Sequence, residues 1–313
     1  MNFKRQSLDT YTDLNWAASA TKSLKLPRDR FIQQIILRLK VTGNTDSSVT
    51  AANDGILAAI GALRITRGGN PIFNLTGADL WRINQYQFGR VGLASLITTT
   101  SQTGATLGEA EFIIPFMLNP KNPNDVKAVL PAHMFSSLDL YVDWGAAASP
   151  GTGYTITSAE LRVALKEVDL TKEELGALKR IFMVNYSYEE KTHDAAYTDY
   201  KFQKDLPVGK ILQEVFMTTI DNSVRNTGIM SAFKVKGIDN EFVKWDFTPS
   251  QNADAAEFGF PSGNIVTGFT AAKLSKMGAI DARGFSAGQL KVLANIGSPS
   301  STSKTRFAYI ELS

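Results

Sequence analysis

Three groups of residues in this 313-residue chain have types and spacings that could carry chemistry. GFSAG at 284–288 has the G-x-S-x-G spacing of a nucleophile elbow, in which a strained strand-to-helix turn presents a serine for acyl transfer. That chemistry needs a histidine after Ser286, and the only two histidines, His133 and His193, both precede it. The flanks of GFSAG read as loop and strand, and FSAG has a counterpart in FSSL at 135–138, so no catalytic residue is assigned. A metal-dependent oxygenase or cupin needs two or three clustered imidazoles. His133 and His193 stand in different segments and are expected as surface or loop residues, with no metal site and no cofactor. The third group is carboxylates. Asp139 or Asp143 with Glu241 would be the pair of a glycan-acting hydrolase, one acid and one base. Glu173-Glu174 and Glu189-Glu190 sit beside lysines and read as solvated faces. The loop carboxylates Asp194 and Asp239 follow no EF-hand spacing, and no phosphate-binding loop occurs. Cysteine is absent, which excludes disulfides, thiolate zinc and a Cys nucleophile together.

The elements that would position these residues are mostly strands. Ile35, Leu37, Leu39 and Val41 alternate with Arg38 and Lys40, the period of a half-buried strand. LDLYVDW repeats it, with Leu138, Leu140, Val142 and Trp144 inward. So do ELRVALK around Leu161, Val163 and Leu165, FVKWDF around Val243, Trp245 and Phe247, and QLKVLANI around Leu290, Val292 and Ile296. Gly, Pro, Asn and Ser clusters separate the runs. Two stretches read as helix. TGADLWRINQYQFG opens with Thr76 three residues before Asp79, and DLTKEELGALKR with Thr171 before Glu174, both capping patterns. Alternating βα units are missing, which argues against a parallel-sheet enzyme.

The chain also matches itself. LPRDRFIQQIIL at 26–37 lies over LPVGKILQEVFM at 206–217, so that Leu26, Pro27 and Gln33 face Leu206, Pro207 and Gln213, and Arg30 faces Lys210. LRITRGGNPIF (63–73) lies over FKVKGIDNEFV (233–243), Phe88-Gly89 over Phe258-Gly259, and FSSLDLYVDWG over FSAGQLKVLANIG. Near the ends of the two passes Glu160-Leu161 lies over Glu311-Leu312. Ordered matches of this kind predict a duplicated domain, each copy the size of a β-sandwich. The expected organisation is an N-terminal arm over 1–18, a first domain over 19–168, a helical connector over 169–187 and a second domain over 188–313.

Net charge is +3, with hydrophobic residues at 43% and charged ones at 20%, a composition suited to a folded globular chain. The basic excess lies in residues 1–30, where Lys4, Arg5, Lys22, Lys25, Arg28 and Arg30 outnumber Asp9, Asp13 and Asp29. That excess suits either an arm facing anionic lipid or nucleic acid, or a solvated terminus. The N-terminus has no apolar run of a secretory signal, and no stretch of about 18 apolar residues could span a membrane as a helix. Synthesis in the cytoplasm is expected.

A chain of this length with two successive sandwiches, a short helical connector, a slightly basic arm and no cysteine resembles the double jelly-roll major capsid proteins. These belong to tailless icosahedral viruses with an internal membrane, the lineage that includes the adenovirus hexon. LPRDRFIQQIIL, LPVGKILQEVFM, the stretch from Leu63 to Gly89 and the paired FS segments carry the resemblance, which covers nearly the whole chain. Compact coat proteins of lipid-containing bacteriophages are nearest in size, and the resemblance implies a phage of a flavobacterial host. The resemblance implies an all-β fold of two tandem eight-stranded jelly-roll β-sandwiches with a few short helices. It implies a non-enzymatic shell protein in the virion, a homotrimer forming a pseudo-hexagonal capsomer. The partners it implies are neighbouring capsomers and penton or minor capsid proteins, with no specific nucleic acid. It also implies an arm in which Phe3, Lys4 and Arg5 face the internal membrane. The competing expectation is a double jelly-roll glycan-acting hydrolase or lectin.

Overall fold

The computed structural model describes residues 6–52, 54–88, 101–118, 128–177, 183–222, 224–237, 242–247, 268–272, 274 and 279–313. The chain divides into two compact units, Met1–Val184 and Asn185–Ser313.

In the first unit the strands are β1 (Gln6–Asn15), β2 (Thr21–Lys25), β3 (Phe31–Ala51), β4 (Ile60–Arg67), β5 (Asn70–Leu75), β6 (Ala105–Pro115), β7 (Leu130–Pro131), β8 (Leu138–Trp144) and β9 (Gly151–Val168). One sheet runs β1-β9-β3-β6 with β7 also on β3, and its partner runs β5-β4-β8-β2. Long β3 pairs with β9, at the far end of the unit, and β4 pairs with β8 inside that pairing. Nested antiparallel pairing of this kind rolls one long hairpin into two facing sheets. The alternation seen in the sequence decides which face is inside. Ile35, Leu37, Leu39 and Val41 are fully buried opposite Leu165, Val163, Leu161 and Ala159. Leu63, Ile65, Leu138, Leu140 and Val142 line the inner face of the other sheet. Each large side chain buried this way stabilises the sandwich by roughly 1.5–3 kcal/mol.

The two expected helices form. Helix α1 spans Gly77–Phe88, with the Thr76 hydroxyl accepting from the Asp79 amide at 3.1 Å and donating to its carboxylate at 2.7 Å. Helix α2 is only Lys172–Ala177, and Leu175 packs beside Phe31, Val129 and Val168. Residues 178–182 of the longer expected segment lie outside the described residues. Part of the stretch expected as an arm is sheet, since β1 pairs with β9 from Gln6↔Val168 to Asn15↔Glu160.

The second unit contains β10 (Val184–Thr192), β11 (Tyr197–Asp205), β12 (Ile211–Asp221), β13 (Val224–Arg225), β14 (Met230–Gly237), β15 (Phe242–Phe247), β16 (Phe269–Ala272), β17 (Ile280–Asp281), β18 (Leu290–Ile296) and β19 (Lys304–Leu312). Its sheets run β13-β12-β19-β10, with β16 and β17 also on β12, and β11-β18-β14-β15. Val215, Met217, Phe307 and Tyr309 of the first face Phe233, Val235, Leu290 and Val292 of the second. The nesting is that of the first unit, β12 with β19 outside β14 with β18.

The correspondence extends to irregularities. The β3·β9 ladder skips Gln33, between Ile32↔Glu167 and Gln34↔Lys166, and the β12·β19 ladder skips Gln213, between Leu212↔Glu311 and Glu214↔Ile310. The matched glutamines of the two Leu-Pro stretches are therefore matched β-bulges, each adding a residue that bends its strand. Leu26 donates its amide to the Leu138 carbonyl at 2.9 Å, as Leu206 does to Leu290 at 2.8 Å. Phe135 and Phe285 each follow a single 3-10 turn, Ala132–Met134 and Ala282–Gly284, and leave it with nearly the same φ and ψ. One expected match is out of register. Glu311-Leu312 corresponds to Glu167-Val168 rather than to Glu160-Leu161, because Ile211↔Leu312 is the counterpart of Phe31↔Val168. Asn240, Phe258 and Gly259 of the other matches lie outside the described residues.

Candidate functional site

Ser286 sits in an exposed turn after the Ala282–Gly284 helical turn. Its amide donates to Gln289 Oε1 at 2.7 Å, and its carbonyl accepts from the Gln289 amide at 3.1 Å. Strand β18 follows at Leu290, where an elbow requires a helix. The turn is one of a repeated pair and presents no nucleophile.

The two histidines differ from one another: one is exposed, the other a buried loop residue after β10. His133 is exposed, with its ring edge-on to Phe31 at 4.6 Å. His193 is buried at 1% exposure, not on the surface. Its amide bonds to the Ser303 carbonyl, its Nε2 lies 2.7 Å from the Thr305 hydroxyl, and Phe202 packs edge-on at 4.9 Å. Burial, reinforced by the Lys191 charge, lowers its pKa to about 4, with Asp194 opposing. It is a neutral core group at physiological pH. Among the described residues no cluster of three His, Asp or Glu side chains could hold a metal ion. The exposed Asp194 carboxylate accepts from the Tyr197 hydroxyl at 3.0 Å, and Asp239 lies outside the described residues.

Asp139 and Asp143 share the outer face of β8. Asp143 is engaged, accepting from Arg64 Nη2 at 2.9 Å and Thr21 Oγ1 at 2.6 Å. Glu241 lies outside the described residues, as do Phe3, Lys4 and Arg5.

The basic excess in residues 1–30 is partly consumed inside the first unit. Arg28 donates to the carbonyls of Phe135 and Ser136, which fastens the Leu-Pro corner to the FS turn. Arg30 approaches Glu167 at 3.8 Å and Asp169 at 3.5 Å. At the matched corner Lys210 holds Glu311 at 2.9 Å. Both glutamate side chains are 4% exposed. Sequence reading paired Arg30 with Lys210 but missed their acceptors, because it placed Glu311 opposite the wrong residue of β9. Glu189 and Glu190 are exposed, and both are ion-paired. Glu189 pairs with Lys204, and Glu190 accepts from Lys304 at 2.9 Å and Arg306 at 2.6 Å. Partial burial pushes the Glu190 carboxyl up, but the two cations outweigh it and hold it below the usual carboxylate range.

Among the described residues these side chains form no nucleophile–base pair and no metal cluster. What the chain builds is the same rolled sandwich twice, down to its bulges. No family model and no curated protein matches the sequence. Solved structures do. The major capsid protein of Sulfolobus turreted icosahedral virus superposes with a TM-score of 0.79 at 13% identity, over 98% of this chain and 96% of that one. The fold is the double jelly roll. The major capsid protein of bacteriophage PM2 gives 0.60 at 12% identity over 99% and 98%. The PBCV-1 virus capsid protein gives 0.60 at 11% over 100% and 94%. The neighbours of this double jelly roll are thus major capsid proteins of icosahedral viruses. At such identities the likeness is one of backbone path, and no residue role passes from them to this chain.

Proposed function

We propose that this chain is a non-enzymatic major capsid protein of an icosahedral virion. The observation that carries this reading is the duplication at the level of register, with β-bulges at Gln33 and Gln213 and buried glutamates at 167 and 311. A trimer has threefold symmetry only. Two like sandwiches in each of three chains give six similar units around one axis, and six-sided blocks tile a lattice from a single gene product. Exposed sheet edges, which invite pairing with other chains, are covered in such an assembly. The full-length alignment with capsid proteins supports the same reading. The organisation that goes with it is a short arm ahead of β1, two jelly rolls and a connector around α2. In the arm, Phe3 would enter a bilayer interface and Lys4 and Arg5 its anionic headgroups, an apolar anchor beside two charges. Neighbouring capsomers and vertex proteins are the partners of such a subunit.

Light scattering on the native protein tests the assembly. A mass of three chains, or shells of many trimers, is the expected result. A protein that stays monomeric at micromolar concentration, alone and when co-expressed with the other virion proteins, overturns it.

A further inference from the structure

The outer face of the sheet β11-β18-β14 holds a cleft of about 400 Å³. Lys201, Lys234, Lys236 and Lys291 line it, with Gln203 and Gln289 between them. The equivalent face of the first unit makes this composition informative, because the ladders run in the same register. Thr66↔Asp139 becomes Lys236↔Lys291, Arg64↔Tyr141 becomes Lys234↔Leu293, and Ala62↔Asp143 becomes Ala232↔Asn295. In the first unit the face is balanced, with Arg64 paired to Asp143 and its guanidinium 5.7 Å from the Tyr141 ring centre. In the second unit both aspartates are gone and a lysine stands directly across from a lysine. Like charges at that position repel and destabilise a sheet. Asp205 stands across from Lys291 on its other side, Asp246 stands across from Lys234 in the β14·β15 ladder, and Asp199 is itself a lining residue, so four lysines share the face with three aspartates and Lys236 faces no carboxylate in either ladder.

A second departure shapes the cleft. Asp199 and Tyr200 both have left-handed backbone, φ 54° and 57°, in the middle of β11, where the ladder is interrupted between Tyr197 and Phe202. Two successive non-glycine residues in that region are rare and persist only where the surroundings hold them. Here Asn295, in the place of Asp143, accepts the Tyr200 amide at 2.6 Å. The Tyr200 ring is thereby carried over Lys234, whose ammonium lies 4.0 Å from the ring centre.

We propose that this cleft binds an acidic saccharide, its carboxylate or sulfate held between Lys201, Lys236 and Lys291 and its hydroxyls by Gln203 and Gln289. The chemistry favours a sugar over other anions. A lipid surface needs an apolar wedge beside the cations, and the large exposed hydrophobics among the described residues, Met134 and Val224, do not line the cleft. Single-stranded nucleic acid needs a row of free aromatic faces along a groove, and the one aromatic among the described lining residues, Tyr200, already holds a cation. This inference rests on the second unit alone and not on the coat reading.

Titration calorimetry of the full chain in its native assembly state tests it, with a hexagalacturonate, a sulfated hexasaccharide, neutral maltohexaose and a dT12 oligonucleotide as probes. One of the two acidic sugars should bind, more weakly as salt rises, and maltohexaose should not. The pair K236Q/K291Q should weaken that binding at least tenfold, while K22Q/K25Q in the first unit leaves it unchanged. Without ligand, K236Q/K291Q should melt at or above the parent temperature, since a repulsion is removed, which separates lost binding from lost folding. Equal binding by parent and K236Q/K291Q overturns the site. Tighter binding of dT12 than of either sugar, or no binding of either sugar, overturns the ligand class.

Discussion

The two Leu-Pro corners share a bulge, a turn and a buried glutamate, yet fasten that glutamate differently. At the first, Glu167 has the Arg30 guanidinium at 3.8 Å, and Arg30 also leans on Asp169. At the second, Glu311 has one short contact, Lys210 at 2.9 Å. The outer faces diverge in the same sense, balanced in the first unit and lysine-rich in the second. Backbone register is thus the feature the copies retain, because a one-residue slip would turn every core side chain outward. Side chains that face solvent carry no such constraint, and there the copies are free to differ.

The largest test of that division is in the cores. Leu63 and Phe233 hold the same ladder position and are both fully buried. Phe233→Ala should cost about 3–5 kcal/mol and Leu63→Ala about 2–5 kcal/mol. Hydrogen exchange followed peptide by peptide should show faster opening mainly in the unit that carries the change. If Phe233→Ala loosens both units equally, the two cores are not separate.

The corners come next. Lys210→Met strands the nearly buried Glu311 carboxylate and should cost about 2–3 kcal/mol, below the value for a fully buried pair because Lys210 is 41% exposed. Arg30→Met removes a longer contact and should cost about 1 kcal/mol or less. Denaturant unfolding of the two variants measures the difference, and a larger loss for Arg30→Met would reverse this account of the corners.

Acid should distinguish the units as well, through His193. Its folded-state pKa is depressed to about 4, against roughly 6.5 when unfolded. Above pH 6.5 both states are neutral and stability does not depend on this group. As pH falls from 6.5 toward 4 the unfolded chain takes up the proton first, so stability declines, by on the order of 1–2 kcal/mol at pH 5. His193→Gln, able to keep a contact with Thr305, should flatten the curve between pH 7 and 5. A parent protein with equal melting temperatures at those two values would contradict this assignment.

Much of this was legible in the residues. Alternation around Leu37, Leu140 and Val163 located strands and their inner faces, and the Leu-Pro and FS repeats located the duplication, because period and turn chemistry are local. Pairing is not local. Glu311 was set against Glu160 when the ladder sets it in the place of Glu167, a slip of seven residues along β9 that only register corrects. His193 stands in KTHDAAY, which has no period to announce that it is buried. The lysines of the cleft come from three strands, each an ordinary polar position alone. The overlay of LRIT on FKVK already brings Thr66 to Lys236, and setting LDLYVD on LKVLAN brings Asp139 to Lys291, the one sequence signal of that face.

The smallest expected effect bears most directly on the divergence of those faces. Asp143→Asn gives the first unit the residue that Asn295 is in the second, and removes the partner of Arg64. Both groups are over a third exposed or close to it, 41% and 34%, so the pair is screened and its loss should cost under about 1 kcal/mol. The substitution should not by itself create an anion site, since Asp139 still neutralises the face and Thr66 offers no charge. Adding Asp139→Lys and Thr66→Lys places a lysine across from a lysine, as at 236 and 291, and should lower stability by a further few tenths of a kcal/mol through repulsion. The triple variant should then bind the acidic hexasaccharide more tightly than the parent's first unit, read in a K236Q/K291Q background so that the second unit is silent. Lysines alone do not supply the bulge that carries Tyr200, so the gain should stay well below the affinity of the native cleft. Affinity equal to the native cleft would mean that charge, and not the strained strand at Asp199-Tyr200, makes the site.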